Sequence, residues 1–134
     1  MANKTVTLQW NPEQQTILKD SDHYPVIMKK PDGVSGSDLL PMSLIGCASY
    51  DVVKILEKQR QQLVSLKISA ESTQDETPPW KFRKIHIHYQ LTGKGLDSEK
   101  VSKAIQLSEE NYCAVYATLK DVVEITHDFE IVEA

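Results

Sequence analysis

The first third of the chain alternates apolar and polar residues over short runs, which predicts three β-strands. The runs are 4–10 (KTVTLQW), 14–20 (QQTILKD) and 24–30 (YPVIMKK). A period of two is the pattern of a strand with one buried face. The segments NPE and DSD separate the runs and are rich in turn-forming residues. A meander of three strands is the simplest arrangement.

After a loop rich in Gly, Ser and Asp, the pattern changes to that of a helix. Ser37 or Asp38 is suited to cap the helix start, and Pro41 falls in the first turn, where proline is tolerated. The helix is predicted to run to about Leu63, and its first half, 39–53, is apolar on nearly all sides. Such a helix must be covered all round. Because one sheet covers one face, the other face is predicted to pack against a second helix or a second subunit.

Two longer strands, a second helix and a closing strand are predicted for the rest of the chain. Their ranges are 63–73 and 81–93 for the strands, 97–121 for the helix and 122–132 for the last strand. One face of the second strand is apolar throughout, through Ile85, Ile87, Tyr89 and Leu91. Ser108, followed by two glutamates, resembles a new cap, so the helix is predicted to break there and restart just before Cys113. The prediction is one α+β domain over 1–134, with helices against one face of a mostly antiparallel sheet.

Composition and charge narrow the classes of function. The 134 residues are 40% hydrophobic and 25% charged, which is typical of a soluble globular domain. The formal net charge of −4 argues against a nucleic-acid partner, which usually binds a basic surface. We see no apolar stretch suited to a signal peptide and no run of about 18 apolar residues that would span a membrane. We therefore expect a cytoplasmic protein with no membrane partner, in a compartment where thiols stay reduced.

The chain's two cysteines, Cys47 and Cys113, both fall on predicted helices. Inert packing is the ordinary explanation for cysteines in such positions. However, Gly46 costs the helix roughly 1 kcal/mol relative to alanine, which indicates that another element, such as the second helix, approaches the backbone there. The predicted cap at Ser108 also places Cys113 near a helix start, where N–H groups favour a thiolate, although burial opposes this. Two thiols without a CxxC motif do not make a structural zinc site, and no metal is expected.

The histidines of the carboxyl-terminal half are the other candidates. His86 and His88 form an H-x-H on one strand and could share a metal ion. Since no third ligand is apparent, a solvated outer face is the preferred interpretation. His127 alternates with Ile125 and Phe129, so we interpret it as a hydrogen-bonded core histidine.

Three stretches carry a resemblance to a known family. They are 39–61 (LLPMSLIGCASYDVVKILEKQRQ), 78–119 (PPWKFRKIHIHYQLTGKGLDSEKVSKAIQLSEENYCAVYATL) and 125–131 (ITHDFEI). The combination GC…DVV…YC-x-V is specific, and the likeness runs from about Leu39 to the end of the chain. These stretches resemble the OsmC/Ohr family of osmotically inducible proteins and organic hydroperoxide resistance proteins, and more closely its OsmC-like branch.

The resemblance implies a fold, an assembly and a chemistry. It implies an intertwined homodimer with a long central helix and two active sites at the interface, each containing both cysteines. The thiolate of Cys47 would attack the O–O bond of a small organic hydroperoxide and become a sulfenic acid. Cys113 would resolve that intermediate as a disulfide. An external dithiol, lipoyl-bearing in some members, would restore the thiols, so no bound cofactor is expected.

Other functions remain open because part of the family's site differs in this chain. Peroxidase members carry an arginine on the amino-terminal strands and a glutamate ten positions before the first cysteine. This chain has no arginine before Arg60, and Ser37 stands at the glutamate position. Lys29 or Lys30 could supply positive charge, without the forked geometry of arginine. The alternatives are a non-catalytic protein that binds a small apolar ligand in the same pocket, and a redox sensor whose disulfide alters a partner contact.

Overall fold

The computed structural model describes residues 2–10, 12, 16–28 and 33–134. The chain divides into two compact units, Met1–Leu40 and Pro41–Ala134, and each unit is described by itself. The single domain over 1–134 stays a prediction.

The first unit contains the predicted meander. Its strands are β1 (Thr7–Gln9), β2 (Thr16–Lys19) and β3 (Pro25–Met28), paired antiparallel in that order. The turn between β2 and β3 is closed by the carboxylate of Asp20, which accepts hydrogen bonds from the backbone N–H groups of Asp22 and Tyr24 at 2.9 and 2.8 Å. This is the usual role of aspartate in a turn. The predicted strands are therefore confirmed but shorter, and Lys29 and Lys30 lie outside the described residues.

The long helix, α1 (Leu39–Lys58), ends earlier than the sequence predicts. Arg60 adopts the left-handed conformation, with φ of 55°. The N–H of Gln61 then donates to the carbonyl of Leu56, and the N–H of Arg60 to the carbonyl of Glu57, each at 3.0 Å. These two bonds form a Schellman motif that terminates the helix. The predicted end at Leu63 is therefore wrong. A glycine at the left-handed position would have indicated the end of the helix, but this chain has Arg60 there.

The predicted caps of α1, Ser37 and Asp38, stand directly before the helix. They lie within a 3₁₀ turn, Gly36–Asp38, that leads into it. Ser35 precedes this turn, and its side chain makes no capping hydrogen bond. Within the turn, the N–H of Asp38 donates to the carbonyl of Ser35 at 3.1 Å, as is usual for 3₁₀ structure. Capping of α1 by Ser37 or Asp38 stays a prediction.

The second unit is built on a sheet of three long strands. These are β4 (Gln62–Gln74), β5 (Phe82–Lys94) and β6 (Glu124–Glu133), with β5 in the centre. β4 pairs antiparallel with β5, whereas β6 pairs parallel to it. A parallel neighbour requires a crossover connection, which the helices between β5 and β6 supply. The fold is thus α+β and mostly antiparallel as predicted, but it has two separate sheets.

The helical crossover breaks where the sequence predicts. It consists of α2 (Ser98–Leu107), a π-helical turn (Ser108–Tyr112) and α3 (Ala114–Leu119). The break at Ser108 is confirmed, but Ser108 does not cap the second segment. Cys113 is the N-cap of α3, and its Sγ accepts a hydrogen bond from the N–H of Tyr116 at 3.4 Å.

One face of α1 lies in the core of the second unit together with the predicted apolar face of β5 and one face of α2. The buried residues of these three elements are Leu44, Ala48, Val52 and Leu56 of α1, Ile85, Ile87, Tyr89 and Leu91 of β5, and Val101, Ala104 and Ile105 of α2. The residues from α1 recur every four positions, as a single helix face requires. The predicted apolar face of β5 is therefore confirmed.

The rest of α1 is less covered than the sequence predicts. Met42 and Tyr50 are 46% and 67% exposed. The helical segment Gly36–Lys58 is also long and apolar enough, by length and composition, to cross a membrane. The prediction that no run of about 18 uncharged apolar residues is present holds, because this segment contains Asp51 and Lys54. One such helix is weak evidence of a membrane span, because core helices of globular proteins pass the same test, and α1 does bury one face in protein.

Candidate thiol site

The two cysteines meet in the second unit, beside a carboxylate. The Sγ atoms of Cys47 and Cys113 and a carboxylate oxygen of Asp51 all lie within 4.8 Å of one another. Cys113 belongs to the buried core and Cys47, which is half-buried, packs against that core. Residues that are 66 positions apart in sequence are therefore neighbours in the fold. We call these three residues the thiol cluster.

Asp51 is the member of the thiol cluster that sequence reasoning missed. It follows Cys47 by four positions on α1, and residues at this spacing share one helix face. The hydroxyl of Ser108, which is fully buried, donates a hydrogen bond to Asp51 Oδ2 at 3.1 Å. The π-helical turn thus holds the carboxylate beside the sulfurs. The C-x-x-x-D spacing in a predicted helix was the signal that could have found it.

Burial controls the ionisation of Cys113. The residue is 2% exposed. Burial, followed by a hydrogen bond with the Cys47 thiol, raises the pKa of Cys113 to about 11, although the backbone N–H of Tyr116 lowers it. Of the two opposing effects that the sequence left open, burial therefore outweighs the backbone N–H groups at the helix start. At neutral pH Cys113 is a protonated thiol.

Two open pockets lie along α1. The first, about 310 Å³, is lined by Met42, Ile45, Gly46, Ser49, Leu66 and Ile68. The second, about 350 Å³, is lined by Tyr50, Asp51, Lys54, Ile55, Lys58 and Tyr112. Because Asp51 belongs to both the second pocket and the thiol cluster, this pocket leads to the site.

Gly46 does not have the close neighbour that the sequence suggests. A Cβ atom built on it would meet nothing within 4 Å among the described residues. The prediction that the second helix of the same chain approaches Gly46 is therefore wrong. Gly46 instead leaves a gap on the exposed side of α1.

Tyr89 contributes a buried hydroxyl near these groups. The residue is fully buried, and its hydroxyl has no hydrogen-bond partner in the described part of the chain. Burial is the main cause that raises the pKa of Tyr89, and the charges of Glu109, Cys113 and Asp51 raise it further. The phenol is therefore neutral and retains a free donor.

His86 and His88 lie on the half-exposed outer face of β5, as predicted. Asp128 Oδ1 on β6 bonds to His86 Nε2 at 3.0 Å and to His88 Nδ1 at 2.8 Å. Thr126 and Glu130 bond to the remaining ring nitrogens, at 2.7 Å and 3.2 Å. The hydrogen bond with Asp128, then that with Glu130, raises the pKa of His88. These contacts join two strands on a solvated face.

His127 is hydrogen-bonded, but it is not a core residue. Its Nδ1 lies 2.8 Å from Glu109 Oε1, and its side chain is 32% exposed. The ring packs edge-on against Tyr89, with centroids 6.3 Å apart. The hydrogen bond with Glu109 is the main cause that raises the pKa of His127. The prediction of a hydrogen-bonded histidine is confirmed and that of a core position is wrong.

The candidate counterparts of the family's activating groups are not among the described residues of the second unit. Lys29 and Lys30 lie outside the described residues, and Ser37 belongs to the first unit. Within the second unit, the carboxylate of Asp51 is the acid–base group that lies with the sulfurs.

Comparisons with known proteins agree with the resemblance noted in the sequence. The sequence model of the family described as OsmC-like protein matches residues 29–128. Protein YhfA of Escherichia coli (strain K12) is 38% identical over 109 residues, which cover 77% of this chain and 81% of that protein. The OsmC like protein from Mycoplasma pneumoniae superposes with a TM-score of 0.82 at 14% identity, over 98% of each chain. The organic hydroperoxide resistance protein OhrB of Bacillus subtilis superposes with a TM-score of 0.62 at 14% identity, over 96% of this chain and 98% of that one. The two structures share the α+β fold predicted from the sequence.

Proposed function

Because the chain belongs to the OsmC-like protein family, we propose that it is a thiol-dependent reductase of organic hydroperoxides that acts in oxidative-stress defence in the cytoplasm. The observation that carries the proposal is the meeting of both sulfurs within 4.8 Å, next to the carboxylate of Asp51. A solved structure with the same fold is named as an organic hydroperoxide resistance protein, which supports the proposal at the level of the family.

Cys47 is the attacking thiol in this proposal because it is the less buried of the two. Its thiolate forms a bond to the terminal oxygen of the hydroperoxide, and the O–O bond breaks. The sulfur is oxidised to a sulfenic acid, and the peroxide is reduced to an alkoxide that takes up a proton and leaves as the alcohol. In this proposal the carboxylate of Asp51, which lies within 4.8 Å of the sulfurs, accepts the proton of the thiol directly or through one water.

Cys113 is the resolving thiol in this proposal because it is the more buried of the two and lies beside Cys47; it attacks as the thiolate once its proton has left. Its sulfur attacks the sulfenic sulfur of Cys47, the S–S bond forms and the S–O bond breaks. The leaving hydroxide and the proton of Cys113 make water. The sulfurs must close from within 4.8 Å to about 2.05 Å. An external dithiol, such as a lipoyl group, then reduces the disulfide by exchange and is itself oxidised.

The second pocket supports an organic substrate rather than hydrogen peroxide. Tyr50, Ile55 and Tyr112 contribute apolar and aromatic surface to it, and an alkyl group gains free energy when it leaves water for such a surface. We further propose that the exposed apolar side of α1 packs against a second copy of the chain in a homodimer.

The test is hydroperoxide consumption by the purified protein with dihydrolipoamide as reductant. We expect Cys47→Ser to lose turnover completely. We expect Cys113→Ser to lose turnover but to form a sulfenic acid that a dimedone probe traps at Cys47. Ser102→Ala, at an exposed position of α2, is the matched control and should keep wild-type activity. An inactive wild-type protein, or activity that survives Cys47→Ser, would overturn the proposal.

A second candidate function is the non-catalytic binding of a small apolar ligand. The absence of any arginine before Arg60 favours it, because the activating group of the peroxidase members is then missing. In this case the double variant Cys47→Ser/Cys113→Ser should bind a fluorescent apolar probe as tightly as the wild type, and the wild type should consume no hydroperoxide.

A further inference from the structure

The thiol cluster contains the donor atoms that zinc-class cations prefer. Zn²⁺ is bound by thiolate sulfur at about 2.3 Å and by carboxylate oxygen at about 2.0–2.2 Å, in a tetrahedron. These bonds would hold the donor atoms about 3.4–3.8 Å apart. The two sulfurs and the Asp51 oxygen already lie within 4.8 Å of one another. Small side-chain rotations are therefore enough to bring all three donors to one ion.

The donor residues belong to two elements of the second unit. Cys47 and Asp51 are four positions apart on α1, the same spacing by which two histidines of a helix bind zinc in the H-E-x-x-H motif. Cys113 comes from a different element, the N-cap of α3. Ligands from two elements can surround an ion on three sides, which neighbours on one helix cannot do.

Two hydrogen bonds orient the donors from outside the cluster. Ser108 donates to Asp51 Oδ2 at 3.1 Å, and a carboxylate can accept this bond and still offer lone pairs to a metal ion. The backbone N–H of Tyr116 points at Cys113 Sγ at 3.4 Å and would stabilise a thiolate there. Outer partners of this kind fix ligand orientation in metal sites, and their loss commonly costs about 10–100-fold in affinity.

We propose that the reduced protein binds one zinc-class divalent cation per chain through Cys47 Sγ, Cys113 Sγ and a carboxylate oxygen of Asp51. The sequence led us to expect no metal because it showed only two sulfur ligands, and Asp51 adds the third. Three protein ligands leave one coordination position open, which is typical of exchangeable rather than structural sites. The ion would compete with hydroperoxide for Cys47, and the disulfide form, which has no thiolate, would not bind it.

The test titrates the full chain, reduced with a phosphine, with Co²⁺ alone. We expect a thiolate-to-cobalt charge-transfer band and tetrahedral d–d bands that saturate at one Co²⁺ per chain and are abolished by added Zn²⁺. Cys47→Ser and Cys113→Ser should each weaken binding roughly 100-fold or more, and Asp51→Asn roughly 10-fold. Glu57→Gln, which removes an exposed carboxylate from the same helix, is the matched control and should bind like the wild type.

A second measurement needs no variant and so does not depend on folding of the substituted chains. Saturating Zn²⁺ should slow alkylation of Cys47 in the wild-type protein roughly tenfold or more. Absence of the charge-transfer band, equal affinities of Asp51→Asn and Glu57→Gln, or one metal per two chains would overturn the proposal. Because these measurements are made without hydroperoxide, their outcome does not depend on whether the protein is a hydroperoxide reductase.

Discussion

At the scale of single residues, Cys113 is subject to two opposing effects on its thiol. As an N-cap residue it receives a hydrogen bond from the N–H of Tyr116, which favours the thiolate. As a core residue it has almost no access to water, which favours the neutral thiol. Burial outweighs the hydrogen bond, and the pKa of Cys113 rises to about 11. The residue is consequently a poorer nucleophile toward a peroxide than an ordinary cysteine, because the thiolate is the reactive form.

The raised pKa of Cys113 predicts that thiol reagents modify this residue slowly. At pH 8, a pKa of about 11 leaves roughly one thiol in a thousand ionised, against about one in four for an ordinary cysteine. Iodoacetamide should therefore modify Cys113 roughly 100-fold more slowly in the folded protein than in urea, and the folded rate should rise about tenfold per pH unit. Peptide mapping by mass spectrometry measures both rates. Equal rates in the folded and unfolded protein would contradict the pKa shift.

At the scale of elements, two glycines show opposite surroundings in a helix and a strand. Outside its own helix backbone and its chain neighbours, Gly46 on α1 has no atom of the described residues within 4 Å of a built Cβ. Gly93 on β5 would place its Cβ against the backbone carbonyl oxygen of Gln62 and the side chain of Leu96. The strand position thus needs glycine for close packing, whereas the helix position loses helix propensity without any packing gain inside the chain.

The two alanine substitutions should accordingly change stability in opposite directions. Gly46→Ala should raise the free energy of unfolding by about 0.5–1 kcal/mol, the usual helix gain. Gly93→Ala should lower it by about 1–3 kcal/mol, because backbone must shift to admit the methyl group. Urea unfolding of each variant against the wild type measures both changes. Destabilisation by Gly46→Ala would instead show that another surface approaches this side of α1.

A hydrogen bond between His127 of β6 and Glu109 of the π-helical turn joins two elements of the second unit. It raises the pKa of His127 above the ordinary value. The stability that it contributes is fully present below the unfolded pKa of about 6.5. That contribution is lost as the pH rises through the folded pKa.

His127→Gln should therefore lower the free energy of unfolding most near pH 6, by about 0.5–1 kcal/mol, and progressively less at higher pH. Glu109→Gln should remove the same pH dependence because it removes the partner. Urea unfolding at several pH values between 6 and 9 measures the difference from the wild type. A difference that stays constant across this range would contradict the assignment.

At the scale of the whole molecule, the described chain leaves apolar surface uncovered. Met42 and Tyr50 of α1 are exposed, and Gly46 opens a gap on the same helix. Contiguous apolar surface can mark an interaction site. The homodimer implied by the family resemblance would cover it, and this assembly remains a prediction.

The prediction is that the 15.2-kDa chain sediments at about twice its mass in analytical ultracentrifugation. Met42→Lys should raise the dissociation constant of the dimer roughly tenfold or more, because it buries an unpaired charge at the interface. Lys103→Glu, at an exposed position of α2, is the control and should leave the constant unchanged. A monomeric wild-type protein would contradict the assembly.

The elements and their buried faces follow from local patterns in the sequence. The alternation of Ile85, Ile87 and Tyr89 marked the core face of β5, and the apolar run around Cys47 marked α1. These patterns can be read locally because backbone geometry repeats every two residues in a strand and every 3.6 in a helix. The specific pair of cysteines, in turn, was recognised from its resemblance to a family.

Tertiary structure alone decided the parallel pairing of β6, the separation of the two sheets, the end of α1 at Arg60 and the place of Asp51 in the thiol cluster. Each depends on contacts between distant residues, or on a left-handed arginine that carries no signal of its own. The tertiary structure also decided the ionisation of Cys113. A sequence shows which groups could influence a thiol, but the fold determines how much water is removed from it, and that removal dominates its pKa.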